Sequence, residues 1–338
     1  MRQLKKGTLA TALFACLAVG ALVERFALPA RGAPQTAATY KGSKLCKTCH
    51  KNEEKSKAIV AAYPHTAHAK AMQEASAEGA IVADLSNAPF PKDKIAYVLG
   101  SGRHQQAYLD ANFQLLPAQW NVAKKAWEQV QTVDAKAQCI RCHTTGFDVA
   151  QGTFVEMGVG CEMCHGPGSV HNKAMLDAPE GKEAEVAKQT TINPKNLPPQ
   201  RQAMVCGQCH SVGKDKAGHP FPADFRPGDD LTAIFTDAKP TTPGRNQQFS
   251  ELLQSPKHYQ EGTVCENCHD PHGDTKEPRQ LRKPINELCM SCHGKDDSKS
   301  KISDPAKHNQ DNKGKPDAKC SECHMPDGRH LFIKPPKA

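Results

Sequence analysis

Seven copies of Cys-x-x-Cys-His punctuate the chain: Cys46-Cys49-His50, Cys139-Cys142-His143, Cys161-Cys164-His165, Cys206-Cys209-His210, Cys265-Cys268-His269, Cys289-Cys292-His293 and Cys320-Cys323-His324. They use every cysteine but Cys16. Two thiols at this spacing add across the vinyl groups of a porphyrin as thioethers, and the adjacent imidazole then binds the iron from the proximal side. The spacing therefore predicts seven covalently attached haem c groups. Other uses of the pair fit poorly. A zinc ribbon takes two pairs per metal and needs no histidine after the second cysteine, and seven is odd. A thioredoxin-like pair occurs once, at a helix start, and disulfides do not repeat a fixed two-residue gap.

Nine histidines remain: His65, His68, His104, His171, His219, His258, His272, His308 and His330. The chain has 16 histidines but only 8 methionines, so the second axial position is expected to be imidazole too. Bis-histidine iron lacks the methionine that raises potential, and low potentials follow. His272 lies three residues after His269, and three extended residues reach only about 10 Å. That is too short to round the macrocycle, so His272 must face a different haem. His171, six residues after His165, also reads as a ligand to a neighbouring haem. Gly166, Pro167 and Gly168 let the backbone pass close to a ring there.

These groups need a scaffold, and the sequence supplies little apolar material for one. Aromatic residues are 5% of the chain, against 24 glycines and 25 prolines, so a conventional core would be thin. Apolar macrocycles, each held by two covalent bonds, fill that gap. The expected fold class is mostly α and irregular, built around a haem stack, with a largely unfolded apoprotein. His143 with His165, and His269 with His293, are close enough in sequence to hold two haems in contact. The long stretch between His50 and His143 must contain structure of its own. Within it, residues 51–78 are rich in Ala, Lys and Glu and read as helix. Tyr97-Val98-Leu99, Gly100-Ser101-Gly102, Gln106–Leu109 and Phe113–Leu116 predict a small β-hairpin or three-stranded sheet over 95–116. Residues 123–130 read as a short helix, 173–190 as another, 191–202 as a proline-containing loop, 212–248 as irregular and 295–318 as an exposed connector. The expected division is 31–211 with four haems, a connector over 212–257, and 258–338 with three haems.

Residues 1–30 read as an export signal. Arg2, Lys5 and Lys6 precede the apolar run Gly7 to Val23, and Glu24-Arg25 closes it; an uncleaved membrane anchor is the alternative. A periplasmic or cell-surface location is expected. The same residues hold three of the net +8 charges, and haem propionates offset the remainder. The lysines therefore read as haem neighbours and solvated surface, not as a nucleic-acid footprint.

Cys139 to Asp148 reads Cys-Ile-Arg-Cys-His-Thr-Thr-Gly-Phe-Asp, and Gly158 to His171 reads Gly-Val-Gly-Cys-Glu-Met-Cys-His-Gly-Pro-Gly-Ser-Val-His. With Thr66–Met72 and Tyr97–Asn121, these runs resemble the cytochrome c554-related multihaem cytochromes. Cys265–Gly273 together with Leu288–His293 resembles the doubled-CXXCH module, and Cys320–Pro326 resembles the closing haem site of the same proteins. The resemblance implies distal ligands at His68, His171, His258, His272, His308 and His330. For a seventh, His65, His104 and His219 compete. His104 is preferred for its place in Gly-Ser-Gly-Arg-His-Gln-Gln; an open iron and a ligand from another subunit are the remaining arrangements. The expected function is electron transfer without catalytic residues. The expected partners are other redox proteins, including a quinol-linked donor in the membrane. Two rivals are a reductase or oxidase of a small nitrogen or sulfur compound at one open haem, and a subunit of a cytochrome filament.

Overall fold

The computed structural model describes residues 38–335, except 274 and 276, so the expected export segment lies outside the described residues. A five-stranded antiparallel meander occupies the long interval between the first two motifs. Its strands run in chain order: β1 (Met72–Glu74), β2 (Tyr97–Leu99), β3 (Gln105–Leu109), β4 (Ala118–Asn121) and β5 (Ala126–Gln129). The register sets Met72 opposite Leu99, Val98 opposite Tyr108 and Trp120 opposite Trp127. Successive side chains point to opposite faces of a strand, and both faces here are covered. Val98, Tyr108, Ala118 and Trp120 pack with Ala80 and Phe90. Met72, Leu99 and Leu109 pack with Ala135 and Ile140, and Cys139 lies against this second cluster. The sheet is thus the platform for the second motif.

The sheet is larger than the sequence suggested, and residues 123–130 belong to it. The Lys124–Glu128 ion pair (2.9 Å) has helical spacing, but Lys125 adopts φ 48° and turns β4 into β5. Trp127 is then drawn among Phe90, Tyr108 and Trp120, with ring centres 5.2–5.5 Å apart; this aromatic packing outweighs local helix propensity. Residues 51–78 are helical only over Lys57–Ala62, with a 3-10 turn at Tyr63–His65. Met72 beyond them is taken into β1. The single helix expected over 173–190 is broken at 177–182 into two, Ser169–Leu176 and Glu183–Thr190, and the loop over 191–202 runs into a helix at Pro199–Gly207.

Two short hairpins complete the strands: β6 (Thr144–Thr145) with β7 (Glu156–Met157), and β8 (Gly213–Asp215) with β9 (Phe235–Asp237). The stretch expected to be an irregular connector therefore has a hairpin and a core. Phe225, Leu231, Phe235 and Phe249 from it pack with Ala203 and Met204 before it and Val264 after it. Residues 295–318 carry a helix at Pro305–Asp311. Short helices and turns thus share the fold with three small antiparallel sheets. Among the described residues no helix is long and apolar enough to cross a membrane.

Candidate haem-attachment sites

Helical turns form the motifs. The His165, His210 and His269 amides donate to the carbonyls of Cys161, Cys206 and Cys265, each four residues back, at 2.9–3.0 Å. Positions i, i+3 and i+4 of such a turn share one face, so both thiols and the imidazole of a motif face the same way. None of the fourteen motif cysteines is joined in a disulfide. Every motif histidine also has its Nδ1 engaged. His50 donates to Glu53 Oε2 (3.0 Å), His143 to the Ala71 carbonyl (2.8 Å), His165 to that of Ile192 (2.8 Å) and His210 to Gln248 Oε1 (2.9 Å). His269, His293 and His324 donate to the carbonyls of Arg279 (2.9 Å), Ser300 (3.2 Å) and Ile333 (2.9 Å). An imidazole that donates from Nδ1 keeps its Nε2 lone pair for a metal.

Six of these rings face a second histidine from elsewhere in the chain. The pairs are His50–His171 (6.4 Å between ring centres), His165–His272 (6.2 Å), His210–His68 (6.2 Å), His269–His330 (6.0 Å), His293–His258 (6.2 Å) and His324–His308 (6.2 Å). Two imidazoles bonded to one metal from opposite sides at about 2 Å per bond, plus half of each ring, have centres about 6 Å apart. The spacing is too wide for direct ring stacking and fits a ligated iron. A buried Tyr63 hydroxyl without a partner, close enough to Cys161 and Cys164 to feel their charge, is a further polar group consistent with a cofactor edge. His272 faces His165 and not its near neighbour His269, and His171 faces His50 and not His165.

His143 is the exception. Among the described residues no second histidine ring stands against it. His104 is not brought there: it lies in the turn between β2 and β3, where its carbonyl accepts from Val122. The sheet register holds it at the solvent, where it lines an open cavity of about 390 Å³ with His65, Arg103 and Arg279. His219 donates from Nδ1 to Asp215 (2.8 Å) and stacks on Phe221.

Burial favours the neutral form of several of these imidazoles, the form that binds metal. Desolvation, helped by the neighbouring His210, lowers His68 to about 4. Burial, with His269 beside it, does the same to His330, also to about 4. His143, His165 and His210 are likewise lowered, chiefly by burial.

Thiols of neighbouring motifs stand close enough to shift one another's acidity: Cys46 and Cys161, Cys142 and Cys209, Cys206 and Cys265, and Cys289 and Cys320. The distal histidines knit the same sites together, because the chain around one motif supplies the partner of another. Exposure is greatest at the two ends of this succession, at Cys49 in the first motif and at Cys292 and Cys323 in the last two. Three supporting residues carry no obvious signal in the sequence. Glu162, 2% exposed, accepts from the amides of Lys41, Gly42 and Gly168 at 2.6–3.0 Å, tying the first motif's approach to the helix that bears His171. Gly158 adopts φ 78°, and a Cβ there would run into the Ala69 carbonyl oxygen. Its amide donates to the His143 carbonyl (3.0 Å), and that of Val159 to the His68 carbonyl (2.9 Å). Only glycine allows this close approach. Arg141, between the cysteines of the second motif, is the third.

Residues 101–166 match the family described as cytochrome c554 and c-prime, and residues 257–298 match the doubled CXXCH motif. The chain is thus related over these stretches to the multihaem c-type cytochromes, cytochrome c554 among them. Its similarity to the multihaem cytochrome MtrA of Shewanella baltica (strain OS185) is 26% identity over 215 residues, 52% of this chain and 61% of that protein. To cytochrome c-554 of Nitrosomonas europaea it is 30% over 142 residues, 39% of this chain and 40% of that one. The cytochrome thus spans less than two thirds of the length of either relative. Its fold is similar to that of the outer cell wall cytochrome OcwA, with a TM-score of 0.65 and 22% identity over 87% of this chain and 79% of the other.

Proposed function

We propose that this cytochrome carries seven haems c, six of them closed on both faces by histidine, and that it relays electrons between redox proteins. The observation that carries the reading is the set of six histidine pairs whose ring centres stand 6.0–6.4 Å apart. Each would hold one iron, with His50, His165, His210, His269, His293 and His324 proximal and His171, His272, His68, His330, His258 and His308 distal. Haem supplies a one-electron couple, and bis-histidine iron changes little in geometry between its oxidation states. The chain fixes ring orientation through the Nδ1 hydrogen bonds and sets the neighbours by the closeness of their thiols. On this reading electrons pass between the exposed first site and the exposed last two, through the third, fourth and fifth. The second site branches from the fourth through Cys142 and Cys209. The periplasm or cell surface is the proposed location, in keeping with the charged and apolar pattern of residues 1–30. The pyridine haemochrome of the purified protein is expected to give seven haems per chain, with the EPR of six low-spin centres. Fewer haems, or several high-spin centres, would refute the reading.

A second reading rests on His143 alone. Its Nδ1 is held like those of the other motif histidines, yet no imidazole faces it, so its haem would keep an open coordination position for a small nitrogen or sulfur compound. Binding of nitric oxide or CO by the reduced protein at one haem per chain supports this reading; indifference to both leaves the relay alone.

A further inference from the structure

Arg141 lies between the two cysteines of the second motif and is 4% exposed. Its guanidinium meets the residues at the same position of two other motifs. Nη1 stands 3.9 Å from Met163 Sδ in the third motif, and Nη2 donates to Gln208 Oε1 in the fourth (3.4 Å) and to the Phe225 carbonyl (3.3 Å). Gln208 in turn donates from Nε2 to the carbonyls of Met163 (2.9 Å) and Val205 (2.8 Å), which points its oxygen at Arg141. Three attachment turns therefore converge on one guanidinium. All the polar partners of that guanidinium are neutral, whereas Arg201, Arg282 and Arg329 each pair with a carboxylate. The corresponding positions of the remaining motifs hold Thr48, Asn267, Ser291 and Glu322, none of them cationic.

A guanidinium does not give up its proton inside a protein, and a buried charge with neutral partners acts over a longer range than one in water. Propionates leave the macrocycle from the edge opposite the thioethers, so the haems attached here turn their own carboxylates away from Arg141. A positive charge beside an iron centre favours the ferrous over the ferric state. We propose that Arg141 sets the potentials of this junction, raising the haems of the second, third and fourth motifs above those of the fifth to seventh. The inference rests on the haem-attachment reading. Electrons would then collect at this junction, which includes the motif of His143, the histidine that no second imidazole faces.

The test uses holoprotein carrying Arg141→Met, Arg141→Lys or Gln208→Glu. A pyridine haemochrome comes first, because a count other than seven in the wild type would count against the attachment reading and not against this inference. Potentiometric titration followed by absorption and EPR then reads the midpoints. In Arg141→Met the highest-potential haems are expected to be about tenfold less reduced at a fixed solution potential, a fall of 59 mV for a one-electron couple. Arg141→Lys keeps the charge and should keep the midpoints. Gln208→Glu leaves the arginine in place but gives it a counter-charge, and should move the same haems in the same direction; it decides the matter alone if Arg141→Met does not assemble. Titration curves of Arg141→Met and Gln208→Glu that superimpose on the wild type would overturn the proposal. So would an Arg141→Lys shift as large as that of Arg141→Met, since volume and not charge would then be responsible.

Discussion

The His143 and His210 sites are neighbours, close enough for Cys142 and Cys209 to shift one another's acidity, and their proximal halves are alike. Each histidine follows a helical turn and donates from Nδ1 to an acceptor at 2.8–2.9 Å. Their distal halves differ. His68 faces His210 across 6.2 Å, whereas His143 has no histidine opposite. The same segment serves both sites: His68 supplies a ring to one, and three residues later Ala71 supplies a carbonyl to the proximal side of the other. The proximal half of a site is thus repeated wherever the motif recurs, while the distal half depends on which remote segment the fold delivers.

Removing the difference between the two sites should have the largest effect. In His68→Ala the His210 site is left as its neighbour is, and CO uptake by the reduced protein is expected to rise from about one to about two per chain. Uptake that stays at one would mean that His68 is not what closes the fourth site.

Acid should erase the same difference reversibly. His68 is depressed from 6.5 to about 4, so between those values the unfolded chain binds a proton that the folded chain refuses. The stability contributed by neutral His68 is complete above pH 6.5 and is lost as pH falls toward 4. The His210 site is expected to stay low-spin across that interval and to turn high-spin only as pH falls through about 4, where the folded chain takes up the proton, while the His143 site has no second imidazole to lose. Absorption spectra of the ferric protein between pH 7 and 3 would follow the change.

The smallest effect concerns the proximal halves. A side chain, Gln248, holds the His210 ring, but backbone holds that of His143, so only the former can be deleted. Gln248→Ala should cost about 1 kcal/mol in denaturant unfolding and broaden the low-spin EPR signal of one haem; a variant indistinguishable from wild type in both would show that the hydrogen bond does not orient the ring.

Much of the scaffold was legible only where one residue type dominates a stretch. The strands at Tyr97–Leu99 and Gln105–Leu109 flank the turn that holds Gly100 and Gly102, and they appear where the pattern puts them. Residues 126–129 were not legible as a strand, because the partners that hold Trp127 include Phe90, 37 residues earlier. The hairpin at 213–237 was hidden among prolines and glycines for the same reason, its closing residues being Phe235 and Phe249 of a cluster assembled from distant segments. His104 looked like a ligand by its glycine-rich setting, but the sheet register turns it outward.

The sequence by itself determined the chemistry of attachment: two thiols and an imidazole share a face in any helical turn, so Cys-x-x-Cys-His carries its geometry wherever it occurs. It also determined that His272 cannot share an iron with His269, since the chain between them is too short. Only the tertiary structure decided which histidine faces which, left His143 unmatched, and gathered Arg141, Met163 and Gln208 at one point. Those contacts join residues 16 to 142 positions apart, and no local spacing encodes them.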